Sequence, residues 1–125
     1  MVHKLIQQPA AEGAVITKAV TGAAERLGLT ARALAMVIGV SEATVSRMRK
    51  RDFLLERGTK PFELAVLFVR LFRSLDAITG GDEAVARAWM TAENRALGGR
   101  PADRIASISG LTDVLAYLDA RRALV

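Results

Sequence analysis

The chain has 125 residues, contains no cysteine and carries a net charge of +5, and 51% of its residues are hydrophobic. This length predicts one compact unit or two very small ones, and the absence of cysteine excludes a disulfide framework and a thiolate metal site. Residues 1–60 contain ten Lys or Arg against five Asp or Glu, whereas residues 61–125 contain eight of each. All the excess positive charge therefore lies in the first half of the chain, as phosphate binding would require.

The first segment of the chain predicts an arm followed by a helix. Residues 1–12 show no clear period and carry no long apolar run, so we expect a flexible arm, no secretory signal and a cytoplasmic location. From Ala14 to Leu27 apolar residues repeat at intervals of three and four, which predicts a helix with one buried stripe. Gly28 is expected to end this helix, with Leu29 folding back against it.

Residues 31–50 have the spacing of a helix-turn-helix, in which two short helices cross at a tight turn. Thr30 can cap the first helix, Gly39 can supply a left-handed turn, and Ser41 can cap the second helix. An ordinary helix pair of a bundle shares the apolar spacing but does not need this glycine-and-cap junction. The residues predicted to face inward from the two helices are Leu34, Ala35, Ile38, Val45 and Met48.

The other side of the second helix is short, polar and cationic, which fits the major groove of DNA better than a merely solvated charge run. Arg47 stands next to the inward Met48, so we expect it to reach a guanine edge. Hydroxyl side chains and the basic cluster after Arg47 are expected to contact phosphates. The predicted DNA-binding residues are Ser41, Glu42, Ala43, Thr44, Ser46, Arg47, Arg49, Lys50 and Arg51.

The middle of the chain predicts a connection and a central helix. Residues 51–60 mix charges with Phe53, Leu54 and Leu55, which we interpret as apolar anchors. Pro61 suits a first helical turn, and the helix from there to Ile78 is apolar on two sides. Four charged residues interrupt it, so it is not a membrane span. One side is expected to face the core and the other a second copy, which predicts a homodimer.

Three further helical segments are predicted after the glycine pair at residues 80 and 81. Asp82 can begin a helix whose inward residues would be Ala84, Val85, Ala88 and Trp89. A turn-rich connection over residues 94–101 leads to a helical turn that begins at Pro101. Ser109 or Thr112 is expected to cap the last helix. The inward residues of this helix are predicted to be Leu111, Val114, Leu115 and Leu118. No alternating strand pattern is present in the sequence.

The residues needed for catalysis are scarce, which predicts a binding protein rather than an enzyme. The single histidine, His3, lies in the predicted arm, away from any nucleophile that it could activate. Asp82 and Glu83 are adjacent carboxylates at a helix start, where they favour the helix dipole. Gly98-Gly99-Arg100 lacks the strand and helix of a phosphate-binding loop. We therefore expect no catalytic residue, no cofactor and no metal site.

Two sets of residues, one in each half, occur in the order typical of a known family. The first set is Gly22-Ala23 and the run from Glu25 to Thr30. The second set is Trp89-Met90, Asn94-Arg95, Leu97, Arg100-Pro101, Gly110-Leu111, Val114-Leu115 and Leu118-Asp119. Together they resemble MbcA-like members of the Xre/MbcA/ParS-type antitoxins, over about residues 15–125. The resemblance implies an all-α fold in which a helix-turn-helix domain precedes a small helical domain for toxin binding and dimerisation.

What the resemblance implies about function is specific. Such antitoxins pair with RES-domain toxins, which degrade or phosphorolyse NAD, and block the NAD pocket with their C-terminal segment. They usually dimerise, and many bind operator DNA to repress their own operon. Trp89, Asn94 and Pro101 are interpreted as scaffold rather than contacts. The residues expected to bind the toxin are Tyr117, Asp119, Arg121, Arg122, Leu124 and Val125.

Two points remain open at the level of sequence. Many relatives have a glycine shortly before the end, whereas this chain has Arg122-Ala123, so the tail can continue as helix. A stand-alone helix-turn-helix repressor with a helical dimerisation domain would also fit the chain, as would an antitoxin that has lost DNA binding. The domains predicted are a flexible arm (1–12), a helix-turn-helix domain (13–60) and a dimerisation and toxin-binding domain (61–125).

Overall fold

A computed structural model describes the backbone of residues 2–124 and the side chains of residues 11–124. This part of the chain is helical and contains no strand, so the predicted all-α class is confirmed. None of its helices is both long enough and apolar enough to span a bilayer. The elements are α1 (Val2–Arg26), α2 (Ala31–Ile38), α3 (Glu42–Arg49), α4 (Lys60–Ile78), α5 (Glu83–Thr91), a 3-10 turn (Arg95–Leu97), α6 (Pro101–Arg104) and α7 (Ile108–Arg122).

Helix α1 begins much earlier than the sequence pattern indicated. We expected an arm over residues 1–12, but the helical backbone starts at Val2. Adding a residue to an existing helix is far easier than nucleating one, so this segment can continue the periodic helix behind it even though it contains Pro9. The end is as predicted, because Gly28 has φ +74° and the Leu29 amide donates to the Ala24 carbonyl at 2.8 Å.

The helix-turn-helix forms as predicted. Thr30 accepts a hydrogen bond from the Ala33 amide, and Gly39 takes the left-handed conformation with φ +74°. Val45 and Met48 are fully buried, as are Leu34 and Ile38 on the facing helix, and α2 packs against α3. The predicted inward faces of both helices are therefore confirmed.

Helix α4 is the centre of the fold. It packs against α1, α2 and α7. Its fully buried side chains include Phe68, Leu71 and Leu75. The chain itself therefore covers much of both apolar sides, and half-buried apolar residues such as Phe62, Val66 and Phe72 stay partly open.

Two local predictions, the apolar anchors of the connection and the cap of α7, are wrong in part or in full. Phe53 and Leu54 are exposed, and Leu55 alone anchors the connection, where its amide donates to the buried Thr17 hydroxyl at 2.9 Å. Ser107, rather than Ser109 or Thr112, caps α7 by accepting from the Gly110 amide. The cap lies earlier because the short helix α6 ends at Arg104, which leaves only a tight turn before α7.

The face of α5 that points inward also differs from the prediction. Ala86 and Met90 are buried, and Trp89 is half-buried. Ala84, Val85 and Ala88, which were predicted to face inward, are exposed. A helix of nine residues has few apolar positions from which to read a phase, and α5 rests on α4 and α6 by a narrow contact.

The start of α7 passes so close to α6 that only glycine fits at residue 110. A Cβ atom there would overlap the carbonyl oxygen of Arg104. Replacing Gly110 by Ala should therefore lower the free energy of unfolding by about 1–3 kcal/mol. Urea denaturation followed by circular dichroism measures this difference.

Ala116→Ser on the same helix supplies the control, because residue 116 is exposed. This variant should lose no more than about 0.5 kcal/mol, the difference in helix propensity between the two residues. A Gly110→Ala variant as stable as the wild-type chain would contradict the close approach of α6 and α7.

Candidate functional sites on α3 and α7

The outer face of α3 is a polar surface that the buried pair Val45 and Met48 holds in a fixed orientation. All nine residues predicted to bind DNA lie on this helix or at its two ends. Thr44 is half-buried and the other eight are exposed: Ser41, Glu42, Ala43, Ser46, Arg47, Arg49, Lys50 and Arg51.

The hydroxyl groups at the start of α3 already have partners within the chain. Ser41 Oγ accepts from the Thr44 amide at 3.0 Å and lies 2.9 Å from Thr44 Oγ1. Arg47 Nη2 donates to Thr44 Oγ1 at 3.2 Å. This bond turns the Arg47 guanidinium towards the N-terminal end of α3, the end that carries the base contacts in helix-turn-helix proteins.

Arg49 faces a different way from Arg47. Its Nη2 atom donates to the Leu29 carbonyl at 3.3 Å, in the turn that joins α1 to α2. The guanidinium therefore links α3 to this turn, and its remaining N–H groups stay exposed. Arg49 and Arg47 lie two residues apart on the helix, so they point to different sides of it.

Arg51 occupies a backbone conformation that glycine usually supplies. Its φ is +66°, and it is the one non-glycine residue with positive φ in the described part of the chain. The Arg51 amide donates to the Met48 carbonyl and the Asp52 amide to the Arg47 carbonyl, which is the Schellman pattern of a helix end. Helix α1 ends with the same pair of bonds but has Gly28 at the equivalent place.

The last turns of α7 have two different faces. One face turns inward to α4 and carries Asp119 and Arg122, whereas Tyr117, Arg121 and Leu124 follow one another at helical spacing on the other face. Tyr117 is half-buried and Arg121 is exposed. Leu124 is 86% exposed, so the end of the chain is open to contact as far as it is described. Val125, also a predicted toxin contact, lies outside the described residues.

Four polar side chains, which we call the polar latch (Arg70, Ser74, Asp119 and Arg122), tie the end of α7 to α4. Ser74 is buried and its hydroxyl donates to Asp119 Oδ1 at 2.6 Å. Arg70 Nη2 lies 3.6 Å from Asp119 Oδ2, and Arg122 Nη1 donates to Ser74 Oγ at 3.5 Å. Asp119 and Arg122 were predicted as toxin contacts, and here they bind α4 of the same chain.

Sequence reasoning missed Ser74 and Arg70. The signal that was present is a serine within an otherwise apolar helix, since a buried hydroxyl needs a partner. That partner stands 45 residues away on another helix, so no local pattern could identify it.

A groove lined largely by apolar residues lies between α1 and α4. We call it the α1–α4 groove; it consists of two adjoining hollows of about 440 and 390 Å³. Both are lined by Val15, which is 68% exposed. The residues along it are Ala11, Glu12, Val15, Ile16, Lys18, Ala19, Gly22, Ala23 and Arg26 on α1, and Phe62, Val66, Val69, Phe72 and Arg73 on α4.

No metal-binding cluster of His, Cys, Asp or Glu side chains occurs where the structure describes the chain. The adjacent carboxylates of Asp82 and Glu83 have structural roles, because Asp82 caps α5 and Glu83 lies 3.6 Å from Arg87. Gly98-Gly99-Arg100 belongs to a tight turn that Asn94 closes by accepting from the Leu97 amide.

The polar latch gives a direct prediction for stability. Ser74→Ala removes a buried hydroxyl that bonds both Asp119 and Arg122, and should lower the free energy of unfolding by about 1 kcal/mol. Amide hydrogen exchange over residues 119–124 should accelerate in the variant, because the last turn is no longer anchored. Ser46→Ala on the exposed face of α3 is the control and should change neither quantity. Unchanged exchange at the end of α7 would contradict the role of the latch.

Comparison with known proteins places both halves of the chain in one family. A family model for the antitoxin Xre-like helix-turn-helix domain matches residues 7–70, and a model for the antitoxin Xre/MbcA/ParS C-terminal toxin-binding domain matches residues 74–123. No curated protein sequence matches the chain. A chain of the crystal structure of the M. tuberculosis MbcT–MbcA toxin–antitoxin complex is similar at 28% identity and a TM-score of 0.65, over 89% of this chain and 96% of that one. The chain therefore belongs to the Xre/MbcA/ParS family of antitoxins and is an MbcA-like member of it.

Proposed function

We propose that this antitoxin neutralises a RES-domain, NAD-degrading toxin by blocking the toxin's active site with its C-terminal segment, and that it binds its own operator DNA through α3. The observation that carries the first part is the exposed end of α7, where Leu124 is 86% exposed. The similar solved structure is that of a toxin–antitoxin complex, which supports a protein toxin as the partner.

The end of α7 suits a plug because its shape is fixed before binding. The helix continues to Arg122, and the Leu124 amide still donates to the Arg121 carbonyl at 3.1 Å. The polar latch holds this last turn against α4, so little further ordering is needed on binding. A plug acts by excluding substrate, so it needs no catalytic residue of its own. The contacts proposed are Tyr117, Arg121, Leu124 and Val125, with Asp119 and Arg122 as positioning residues.

Deleting residues 121–125 tests the plug. The truncated chain should no longer protect cells that express the toxin encoded by the adjacent gene, and cellular NAD should fall. Its affinity for operator DNA should stay within twofold of the full-length chain, because α3 lies in the other half. Full protection by the truncated chain would contradict the plug. An adjacent gene product that neither copurifies with the full-length chain nor depletes NAD would instead favour a stand-alone repressor.

The DNA-binding part of the proposal is supported by the exposed cationic face of α3 and by its charge. Arg47, turned towards the start of the helix, is placed to read a base edge. Lys50 and Arg51 lie at the end of the helix, where they can neutralise phosphates. Arg49 is less free to contact a phosphate, because its guanidinium also donates to the Leu29 carbonyl in the α1–α2 turn.

Arg51 allows a test with two readouts of opposite sign. Arg51→Gly should raise the free energy of unfolding by about 1 kcal/mol, since glycine adopts positive φ without strain. The same variant should bind operator DNA more weakly, and the salt dependence of log K should become shallower by about 0.9 for each phosphate that is no longer neutralised. Arg51→Lys, which keeps both the charge and the strain, is the control. An unchanged salt slope in Arg51→Gly would contradict a phosphate contact.

We extend the proposal to a homodimer formed through the α1–α4 groove. Helices α1 and α4 run side by side in the same direction, since Ala11 and Glu12 line the hollow that contains Phe62, whereas Arg26 lines the one that contains Arg73. Ala19 and Gly22 are small enough to let another helix approach. One end of the groove is cationic, with Lys18, Arg26 and Arg73, and the other end carries Glu12. A two-fold axis across the groove would reverse the second copy and separate the two cationic ends.

Val15→Glu tests this dimer because the side chain is exposed and the fold does not depend on it. The wild-type chain should sediment as a dimer at micromolar concentration, and the variant should be at least tenfold weaker in self-association because two carboxylates would be buried. Val85→Glu, the same change at an exposed valine on α5, should leave the dimer intact. A Val15→Glu chain that dimerises like the wild type would rule out the groove as the interface.

A further inference from the structure

An aromatic stack joins α5 to α7 on the side of the molecule that leads to the end of the chain. The Trp89 and Tyr117 rings lie with centroids 6.2 Å apart and an interplanar angle of 21°. The Arg121 guanidinium lies 5.5 Å from the centroid of the Tyr117 ring, and its Nη1 atom donates to Tyr117 Oη at 3.3 Å. Three side chains from two helices thus form one layered unit.

The neighbouring surface on α5 is apolar and open. Val85 precedes Trp89 by four residues, so the two side chains share one face of the helix. Val85 is 50% exposed, and Trp89 and Tyr117 are only half-buried. We call this set the α5–α7 face (Val85, Trp89, Tyr117 and Arg121). A pair of aromatic rings that only filled the core would be sealed by its own chain, and this one is not.

We infer that the α5–α7 face is a second contact surface for the toxin, and that it receives an apolar side chain beside a carboxylate. This inference rests on the proposed function, because it takes the toxin as the partner. Trp, Tyr and Arg are the residues that most often dominate the energy of a protein interface. Here all three are gathered on one surface of the domain whose family model describes toxin binding, residues 74–123.

Charge specifies the partner's chemistry. No carboxylate among residues 11–124 lies within ion-pair distance of Arg121. Covering that guanidinium without a counter-charge would be costly, so the toxin should place an Asp or Glu over it. An apolar side chain beside this carboxylate would cover Val85 and the open part of Trp89.

The position of the face ties it to the proposed plug. Tyr117, Arg121 and Leu124 follow at intervals of four and three, so they lie along one stripe of α7. A toxin that encloses the end of this helix therefore meets Arg121 and Tyr117 next, and then α5. The interface would extend from the tail to α5, whose Trp89 was interpreted from the sequence as scaffold.

Two surface variants of the full-length chain test the inference against the purified toxin encoded by the adjacent gene. Val85→Asp should weaken toxin binding at least tenfold, because it places a carboxylate where an apolar contact is expected. Arg121→Gln should also weaken binding about tenfold, because the partner's carboxylate would have no counter-charge. Met36→Asp, at an apolar residue of α2 that is 58% exposed, should leave toxin affinity within twofold. Thermal unfolding should be unchanged in all three variants, and operator binding should be unchanged in Val85→Asp and Arg121→Gln, whose residues lie outside the helix-turn-helix.

Trp89 provides a readout that does not depend on substitution, since it is the single tryptophan of the chain. In a chain labelled with 5-fluorotryptophan, its one ¹⁹F resonance should shift when the toxin binds. Val85→Asp and Arg121→Gln variants that bind like the wild type, or an unshifted resonance in the saturated complex, would overturn the inference. If both surface variants bind like the wild type and deletion of residues 121–125 abolishes binding, the proposed plug is supported and the second contact surface is ruled out. If the wild-type chain does not bind the toxin, both are overturned.

Discussion

The fold depends on one constraint, which is that α4 must be covered on both of its apolar sides. Phe68, Leu71 and Leu75 are fully buried, and burial of each such side chain contributes about 1.5–3 kcal/mol. Helices α1, α2 and α7 together provide this cover. The match to the helix-turn-helix family ends at residue 70 and the match to the toxin-binding family begins at residue 74, so both meet within this helix. The two halves therefore share one core. Removing α4 would expose apolar residues in both of them.

Capping chemistry explains why the helix-turn-helix could be predicted from sequence. Thr30, Ser41 and Gly39 are residues whose local conformations differ from those of their neighbours, so their spacing marks where helices begin and end. Once the ends are fixed, the inward phase of α2 and α3 follows from helical geometry. The inward residues of α7 were predicted although its cap was not, because four apolar residues at helical spacing define one stripe.

The failures have physical causes of a different kind. The phase of α5 depends on how a short helix lies against α4 and α6, which local sequence does not encode. The pairing of Ser74 with Asp119 joins residues on separate helices, and it changed the role expected for Asp119. Helix α1 extends over the expected arm because elongating an existing helix is cooperative and needs no apolar stripe of its own. Contacts between distant elements thus decided most of the details that function depends on.

Under the proposed function, the two faces of the α7 end let one helix stabilise the fold and contact the toxin at once. Successive side chains along a helix point in directions about 100° apart, so Asp119 and Arg121 cannot both face α4. On the inner face, Asp119 and Arg122 form hydrogen bonds with the buried Ser74 hydroxyl, and these bonds fix the last turn. The outer face carries an aromatic ring, a guanidinium and an exposed leucine. Aromatic and Arg side chains contribute strongly to the binding free energy when an interface buries them. Because the polar latch already orders the last turn, a partner that binds the outer face loses less conformational entropy. The polar latch and the proposed contact surface therefore both contribute to the binding free energy.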